Sequence, residues 1–304
     1  MKQFKFIDLM ALRDHMSVSF ITDMLSCSMK GVLKGVLKLD APNKSRSPAL
    51  LMGSIIHKIL ECYFLKIQAR EITDSQSMLE LSIDEALKYY EGKRKFYDSK
   101  VLDEAIDFFK SSTQVRQSLA DFLAINFLSK AAIADKFVKT EMAFSKTPVC
   151  GFNFDGRIDL VFDDEVIDFK TTSKNMANSP DPEKRAQALQ KIKRECALQL
   201  VIYKHALAQL NIENMPTPKY FSIVEIIFTK QVPINYYKFT SEEVEESAKE
   251  LLDRIEIVKD ILKHNKIYRN YRDTMCPCEF SQYCMDEANL NMILSKLTLP
   301  KNFF

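Results

Sequence analysis

The stretch that decides the fold is residues 156–170, Gly-Arg-Ile-Asp-Leu-Val-Phe-Asp-Asp-Glu-Val-Ile-Asp-Phe-Lys. Two short runs rich in Val, Ile, Leu and Phe flank an Asp-Asp pair, which is typical of two strands joined by a tight turn. If Asp163 and Asp164 form a two-residue loop, the antiparallel register places Asp159 directly opposite Asp168. Opposed residues in a hairpin share one face of the sheet. The stretch therefore predicts a hairpin that carries two carboxylates side by side.

Alternation along the two strands separates a core face from a polar face. The core face is predicted to hold Ile158, Leu160, Phe162, Ile167 and Phe169. The polar face is predicted to hold Arg157, Asp159, Val161, Val166, Asp168 and Lys170. Two carboxylates with Cβ atoms about 5 Å apart repel each other, which a shared proton or a divalent cation relieves. Oxygen ligands beside a lysine favour magnesium or manganese over zinc, which is chemistry for phosphodiester hydrolysis. The alternative is an edge hairpin whose polar face is only solvated.

Two helical segments carry further polar residues at helical spacing. The upstream segment places Gly53, His57 and Glu61 four residues apart, on one stripe of the helix. The downstream segment places Gln199 and Tyr203 four residues apart. A single helical histidine is more often structural than a ligand, so each signal by itself is weak.

The order and spacing of these residues resemble the motif series of the RecB-like branch of the PD-(D/E)xK nuclease superfamily. The motifs are Gly53-x-x-x-His57, Gly156-x-x-Asp159, Asp168-x-Lys170 and Gln199-x-x-x-Tyr203. The likeness is closest to small stand-alone members, the CRISPR-associated and phage-borne exonucleases that carry an iron-sulfur cluster. It extends over residues 17–284, with a variable helical insert between the first two motifs.

The resemblance implies a metal site and a role for each motif residue. His57, Asp159 and Asp168 would bind one or two Mg²⁺ or Mn²⁺ ions together with the backbone carbonyl of Phe169. Lys170 would orient or activate the attacking water, and these residue types suit such roles.

Further residues are implied at the edge of that site. Gln199 and Tyr203 would contact the DNA backbone or support the site. Glu141 and Glu61 would be carboxylates behind the metal ligands, with a solvent-facing strand residue as the alternative for Glu141.

Seven cysteines occur in a long chain without a secretory leader, so we expect reduced thiols. The resemblance implies a four-iron cluster on four of them, Cys27, Cys276, Cys278 and Cys284. The spacing departs from the family, because one residue instead of two separates the first C-terminal pair. Zinc or no metal are the alternatives. We expect the other three, Cys62, Cys150 and Cys196, to be small core residues.

Composition limits how the chain can bind DNA. The chain has 304 residues, 46% hydrophobic and 28% charged, and a formal charge of only +2, so DNA binding must come from local basic patches. Residues 29–46, with Lys30 and Lys34, form one candidate patch, and residues 263–272 form another. A solvated surface is the alternative for both. No stretch is apolar enough to span a membrane, and we expect a cytoplasmic protein of a bacterial, archaeal or phage-infected cell.

Periodicity predicts an α/β fold, a restriction-endonuclease-like mixed sheet flanked by helices. The predicted helices are 17–38, 50–69, 77–95, 101–131, 185–210 and 240–263. The predicted strands are 139–145, 152–162, 166–171, 220–229 and 234–239. We expect a helical N-terminal region at 1–135, a nuclease core at 136–240, and a C-terminal helix, cysteine cluster and tail at 241–304.

The predicted function is a metal-dependent DNA exonuclease that prefers single-stranded ends. It would act in recombination and repair, phage DNA processing or CRISPR adaptation. The alternatives are an endonuclease or flap nuclease, a non-catalytic DNA-binding scaffold, and a metal-cluster redox or sensor protein. The tail at 297–304 either docks on a recombination, replication or CRISPR-adaptation protein or packs back on the body.

Overall fold

The computed structural model describes residues 16–36, 38–39, 48–69, 74–128, 138–162, 164–172, 181–210, 217–228, 233–264 and 280. The helices in these ranges are α1 (Val18–Ser26), α2 (Ser28–Gly31), α3 (Pro48–Gln68), α4 (Ser75–Gly92), α5 (Ser99–Ser111), α6 (Thr113–Leu123), α7 (Pro182–Leu210) and α8 (Ser241–Lys263). Short π-helical turns cover Val32–Val36 and Ala124–Leu128, and a 3₁₀ turn covers Arg94–Phe96. The strands are β1 (Val138–Val149), β2 (Phe152–Phe162), β3 (Glu165–Thr172), β4 (Tyr220–Ile227) and β5 (Ile234–Thr240).

The chain divides into two compact units. One contains residues 45–144 and 156–248, and the other contains residues 1–44, 145–155 and 249–304. The three-part division expected from the sequence stays a prediction.

The five strands form one mixed sheet in the order β1-β2-β3-β4-β5. β3 is antiparallel to β2 and parallel to β4, and β4 is antiparallel to β5. The parallel pair needs a long crossover, which α7 supplies between β3 and β4. The predicted α/β class, a mixed sheet flanked by helices, is confirmed.

The predicted register of the central hairpin is confirmed. Leu160 pairs with Ile167 and Phe162 with Glu165, so the same register continues to Asp159 opposite Asp168. The alternative of an edge hairpin is wrong, because β3 is paired on both sides. The polar face of the hairpin is also not merely solvated. Val161 and Val166, which lie on it, are fully buried.

The core of the unit with residues 45–144 and 156–248 lies where helices α3 to α6 cover one face of the sheet. The predicted core face of the hairpin contributes Leu160, Phe162, Ile167 and Phe169 to it. Phe64 of α3 stacks on Phe169 with 6.2 Å between ring centroids. Each fully buried side chain of this size contributes about 1.5–3 kcal/mol, so the packing of α3 fixes the rear of the strand that carries Asp168.

Two predicted helices are interrupted. The helix predicted at 17–38 breaks at Cys27, whose backbone is extended (φ −160°, ψ 107°). The helix predicted at 101–131 breaks at Ser112, whose hydroxyl accepts a hydrogen bond from the Val115 N–H. A serine that caps a new helix competes with continuation of the old one, which hydrophobic periodicity does not reveal.

The start of the last helix follows the predicted capping box. The Thr240 N–H donates to the Glu243 carboxylate, and the Glu243 N–H donates to the Thr240 hydroxyl. These reciprocal bonds satisfy two of the donors that a helix start leaves open.

The core prediction for three cysteines holds for two of them. Cys62 and Cys196 are buried, but the prediction for Cys150 is wrong, because it is half-buried in the turn between β1 and β2. Cys150 and Gly151 have φ values of 50° and 75°, the positive values that a tight two-residue hairpin turn requires. Among the described residues, no helix is both long and apolar enough to cross a lipid bilayer.

Candidate active site

Asp168 is the buried centre of the site. It lies on β3 and is 1% exposed. Its Oδ1 accepts hydrogen bonds from Gln199 Nε2 at 2.8 Å and from the Tyr203 hydroxyl at 3.0 Å. Lys170 Nζ lies 2.6 Å from Oδ2. That contact is an ion pair, and Oδ2 has no further hydrogen-bond partner among the described residues.

Asp159 stands on the neighbouring strand of the hairpin. Its Oδ2 accepts the Phe169 N–H at 2.8 Å and lies 3.6 Å from His57 Nδ1. Burial, and then the charge of Asp168, raise the pKa of Asp159 well above its usual range. The two carboxylates therefore repel each other strongly enough for a proton or a cation to be favoured between them.

Lys170 lies on β3, and its side chain reaches α7. Its Nζ donates to Gln199 Oε1 at 2.7 Å, while 39% of the side chain remains exposed. Burial is the largest single influence and acts to lower the pKa of Lys170. The charges of Asp168, Cys196 and Asp159 and the contact with the Asp168 carboxylate together outweigh burial, so the pKa is raised. The lysine is therefore a cation at neutral pH, and its side chain reaches solvent.

His57 approaches from α3. Burial lowers the pKa of His57 below its usual value, although the Asp168 charge opposes the change. The neutral ring is consequently the main form at pH 7, and a neutral imidazole is the form that binds metals. Its edge contacts the Phe169 ring, with 6.4 Å between centroids.

Both motif glycines are explained by close packing. A Cβ on Gly53 would lie 2.5 Å from Thr171 Oγ1, so the glycine lets α3 approach the end of β3. A Cβ on Gly156 would lie 2.5 Å from the Phe144 ring. The two glycines thus set the spacing of elements that carry His57 and Asp159.

A comparison with protein families decides the identity of this arrangement. The model of the PD-(D/E)XK nuclease superfamily matches residues 15–285. The chain belongs to this superfamily. No curated protein matches it.

The fold of this chain is also found among solved structures. One is the crystal structure of a protein from Eubacterium rectale named "Putative exonuclease". It is 14% identical to this chain, covers 91% of this chain and 96% of its own, and has a TM-score of 0.52. At this identity the likeness shows the fold alone.

Within this superfamily fold, the donor set is suited to a divalent cation, but it is not gathered into a finished metal site. Among the described residues, no group of three or more His, Cys, Asp and Glu side chains is close enough to hold a metal ion. Two adjacent carboxylates nevertheless fit a hard cation, since Asp168 Oδ2 faces the Lys170 amine and has no other donor among the described residues. His57, Asp159 and Asp168 are the residues that could hold it.

The fourth motif of this superfamily member, Gln199-x-x-x-Tyr203, supports Asp168. Gln199 Nε2 also donates to the Tyr203 hydroxyl, which lies 2.9 Å from the Arg157 carbonyl. Tyr203 is 2% exposed, so its hydroxyl faces Asp168 and not solvent. Of the two roles that the sequence left open, this geometry favours support of the site over contact with DNA.

The two predicted accessory carboxylates have cationic partners. Glu141 on β1 accepts a hydrogen bond from Arg157 at 2.8 Å, and its charge acts on His57 and Asp159. Glu61 on α3 pairs with Lys58 at 2.8 Å. The sequence placed Arg157 on the site face without giving it a role, and only its bond to Glu141 draws attention to it.

The remaining predicted residues lie in the other unit or outside the described residues. Lys30 and Lys34 both pair with Asp23, at 2.9 and 2.8 Å. Cys27 is half-buried at the break between α1 and α2. The other predicted cluster ligands, Cys276, Cys278 and Cys284, lie outside the described residues, as do most of the patch at 263–272 and the tail at 297–304.

Proposed function

We propose that this superfamily member is a metal-dependent deoxyribonuclease of the RecB-like branch, an exonuclease that prefers single-stranded ends. The observation that carries the proposal is the group of Asp159, Asp168 and Lys170, with the Lys170 amine 2.6 Å from Asp168 Oδ2. Two carboxylates and a partly exposed lysine on one sheet face are suited to phosphodiester hydrolysis.

Each residue has a role that its surroundings support. Asp168 is fixed through Oδ1 by Gln199 and Tyr203, so its other oxygen, which faces the Lys170 amine, keeps one direction. Asp159 is fixed by the Phe169 N–H. Lys170 orients the attacking water and stabilises negative charge on the phosphate. A bound Mg²⁺ or Mn²⁺ would supply Lewis acidity and make water a stronger nucleophile at neutral pH.

Cleavage assays test this proposal directly. End-labelled single-stranded and double-stranded linear DNA are incubated beside closed single-stranded circles, with Mg²⁺ or Mn²⁺. We expect the wild type to degrade linear single strands and to leave circles intact. Cleavage of circles would instead support an endonuclease, and binding without any cleavage would support the scaffold alternative.

Variants of the hairpin residues test whether the chemistry lies on the hairpin. Asp168→Asn and Lys170→Ala should each lower kcat at least about 100-fold, as expected for groups that act in the transition state. Asp107→Asn and Lys110→Ala on α5 are the matched controls, because both residues are exposed. Wild-type rates in the hairpin variants would refute the site assignment.

For the cysteines, we propose a four-iron cluster bound by Cys27, Cys276, Cys278 and Cys284, with structural rather than catalytic importance. The support is the sequence pattern together with the position of Cys27 at a helix break, where its backbone is extended. Anaerobic purification should give a brown protein whose colour is lost in Cys27→Ala. Zinc, or no metal, in the wild type would refute the cluster.

The proposed pathway rests on the resemblance to the RecB-like branch. We propose DNA recombination and repair, phage DNA processing or CRISPR adaptation inside the cell. Residues 297–304 are the candidate segment for a protein partner. Capture of such a partner by the full chain but not by a chain ending at residue 296 would support this.

A further inference from the structure

Two cations lie on the site face of the hairpin, and they differ in exposure. Lys170 is turned inward against Asp168 and Gln199. The Arg157 side chain is 62% exposed on β2. Arg157 precedes Asp159 by two residues, so the two side chains point the same way and are about 7 Å apart along the strand. Arg157 thus lies beside the carboxylate pair and not within it.

The backbone of Arg157 contacts a residue that also contacts Asp168. Its carbonyl lies 2.9 Å from the Tyr203 hydroxyl, which also lies 3.0 Å from Asp168 Oδ1. On the other side, the Thr140 hydroxyl donates to the Asp159 carbonyl at 3.1 Å. The start of the Arg157 side chain is therefore held at a constant position relative to the site.

The end of the Arg157 side chain is oriented by Glu141. Nη1 donates to Glu141 Oε2 at 2.8 Å. Glu141 has a φ of 51°, which is unusual for a residue with a side chain inside a strand. Such a conformation costs about 1–3 kcal/mol and persists only where its surroundings impose it. With this backbone conformation, the Glu141 carboxylate meets the Arg157 guanidinium.

The guanidinium has bonding capacity left for a ligand. It carries five N–H donors, and in the described part of the chain its hydrogen bond is to Glu141. A guanidinium fork matches a phosphate, and charge-assisted bonds of this kind are strong. The carboxylates Asp159, Asp168 and Glu141 make the same face unfavourable for a polyanion unless a cation offsets them.

We propose that Arg157 binds the DNA phosphate next to the one that is cleaved, and that Glu141 is its positioning residue. This inference rests on the proposed function, because it assigns the cleaved phosphate to Asp159, Asp168 and Lys170. The offset of two residues from Asp159 places Arg157 where a neighbouring phosphate of an extended strand would lie. The site thereby holds two consecutive phosphates.

The first test is binding without cleavage. A fluorescent single-stranded oligonucleotide is titrated in EDTA with wild type, Arg157→Ala, Arg157→Lys and Arg94→Ala. Arg94 is the matched control, because it is also an exposed arginine, 2.8 Å from a single carboxylate, Asp103. Arg157→Ala should weaken binding about 10- to 100-fold. It should also reduce the slope of log Kd against log salt by about 0.7, as one lost phosphate contact predicts.

The second test separates the two phosphates. Thymidine 5′-(4-nitrophenyl phosphate) has only one phosphate, so it lacks the group that Arg157 would bind. The loss in kcat/KM caused by Arg157→Ala should be at least tenfold larger on an oligonucleotide than on this ester, and it should fall mainly on KM. Glu141→Gln should raise KM less than Arg157→Ala does. In the double variant, KM should be close to that of Arg157→Ala alone.

The outcomes distinguish this inference from the proposed function. An unchanged salt slope, or an equal loss on ester and oligonucleotide, would overturn the role of Arg157 while leaving the nuclease intact. If the wild type cleaves neither substrate, the proposed function fails, and the EDTA titration still decides whether Arg157 binds a phosphate. Arg157→Lys should give intermediate binding, because it keeps the charge without the fork.

Discussion

The Tyr203 hydroxyl lies 3.0 Å from Asp168 Oδ1, although 35 residues separate the two in sequence. Tyr203→Phe removes this donor and leaves Gln199 as the remaining neutral donor to the carboxylate. We expect kcat to fall about tenfold, since one charge-assisted hydrogen bond contributes about 1.5 kcal/mol or more. Steady-state cleavage of a single-stranded oligonucleotide measures the change.

Tyr63→Phe is the control for that variant. Tyr63 is a buried tyrosine whose hydroxyl bonds to Ser75 at 2.9 Å, within the helical part of the same unit. Tyr63→Phe should lower the free energy of unfolding by about 1 kcal/mol, as Tyr203→Phe should, but it should not lower kcat. Equal loss of kcat in both variants would mean that Tyr203 acts only through folding.

The raised pKa of Asp159 predicts that the site destabilises the metal-free protein at neutral pH. Burial and the Asp168 charge make the folded state bind the proton more tightly than the unfolded chain does. The stability from this group is therefore present below the unfolded pKa, about 3.9, and is lost as the pH rises through the folded pKa.

Asp159→Asn cannot ionise, so it should be more stable than the wild type at pH 8 in EDTA. We expect the free energies of unfolding of the variant and the wild type to differ by about 1 kcal/mol or more at pH 8, and this difference should become smaller toward pH 4. Urea unfolding at both pH values measures it, with Asp107→Asn as the exposed control. A variant that is less stable than wild type at pH 8 would contradict the expected repulsion.

Gly156 should not tolerate a methyl group. In Gly156→Ala the new Cβ would lie 2.5 Å from the Phe144 ring, which also contacts Tyr203. We expect destabilisation of about 1–3 kcal/mol, as for other overpacked sites, and partial recovery when Phe144→Leu is added. Thermal unfolding measures both variants.

Gly92 provides the contrast. A Cβ at this position, the last residue of α4, would meet nothing within 4 Å. Gly92→Ala should therefore be neutral or stabilising by up to about 1 kcal/mol. Equal destabilisation at the two glycines would show that the cost is not the clash with Phe144.

Lys238 should matter more for stability than an ordinary surface lysine. Glu165 is 1% exposed, and its carboxylate accepts bonds from Ser222 and Tyr236 and from Lys238 at 3.2 Å. Lys238→Met removes the counter-charge of a buried carboxylate, which should cost about 1–3 kcal/mol. Lys110→Met, at an exposed pair with Glu91, should cost less than about 1 kcal/mol. Urea unfolding compares them.

Local sequence determined the hairpin that holds the candidate site. The alternation from Ile158 to Phe169 and the two-residue turn leave only one register that buries the apolar set, because a shift by one residue would turn every side chain to the opposite face. The pairing of Leu160 with Ile167 follows. The capping box at Thr240 is equally local, since both partners lie within four residues.

The sequence also indicated the motif residues, but not how they meet. Four-residue spacing put Gln199 and Tyr203 on one stripe of a helix, yet it could not show which strand residue that stripe faces. The crossover from β3 to β4 places the stripe on Asp168, and this depends on the whole sheet.

Tertiary structure alone decided the strained and distant contacts. Glu141 has a positive φ, and its hydrogen bond to Arg157 joins two strands. Neither feature can be predicted from residue propensity or hydrophobic periodicity. The helix break at Ser112 is instead local, because its hydroxyl caps Val115 three residues away, but hydrophobic periodicity does not reveal it. Sequence fixes what is set by neighbouring residues, whereas contacts that close long loops exist only once packing has offset the entropy of closing them.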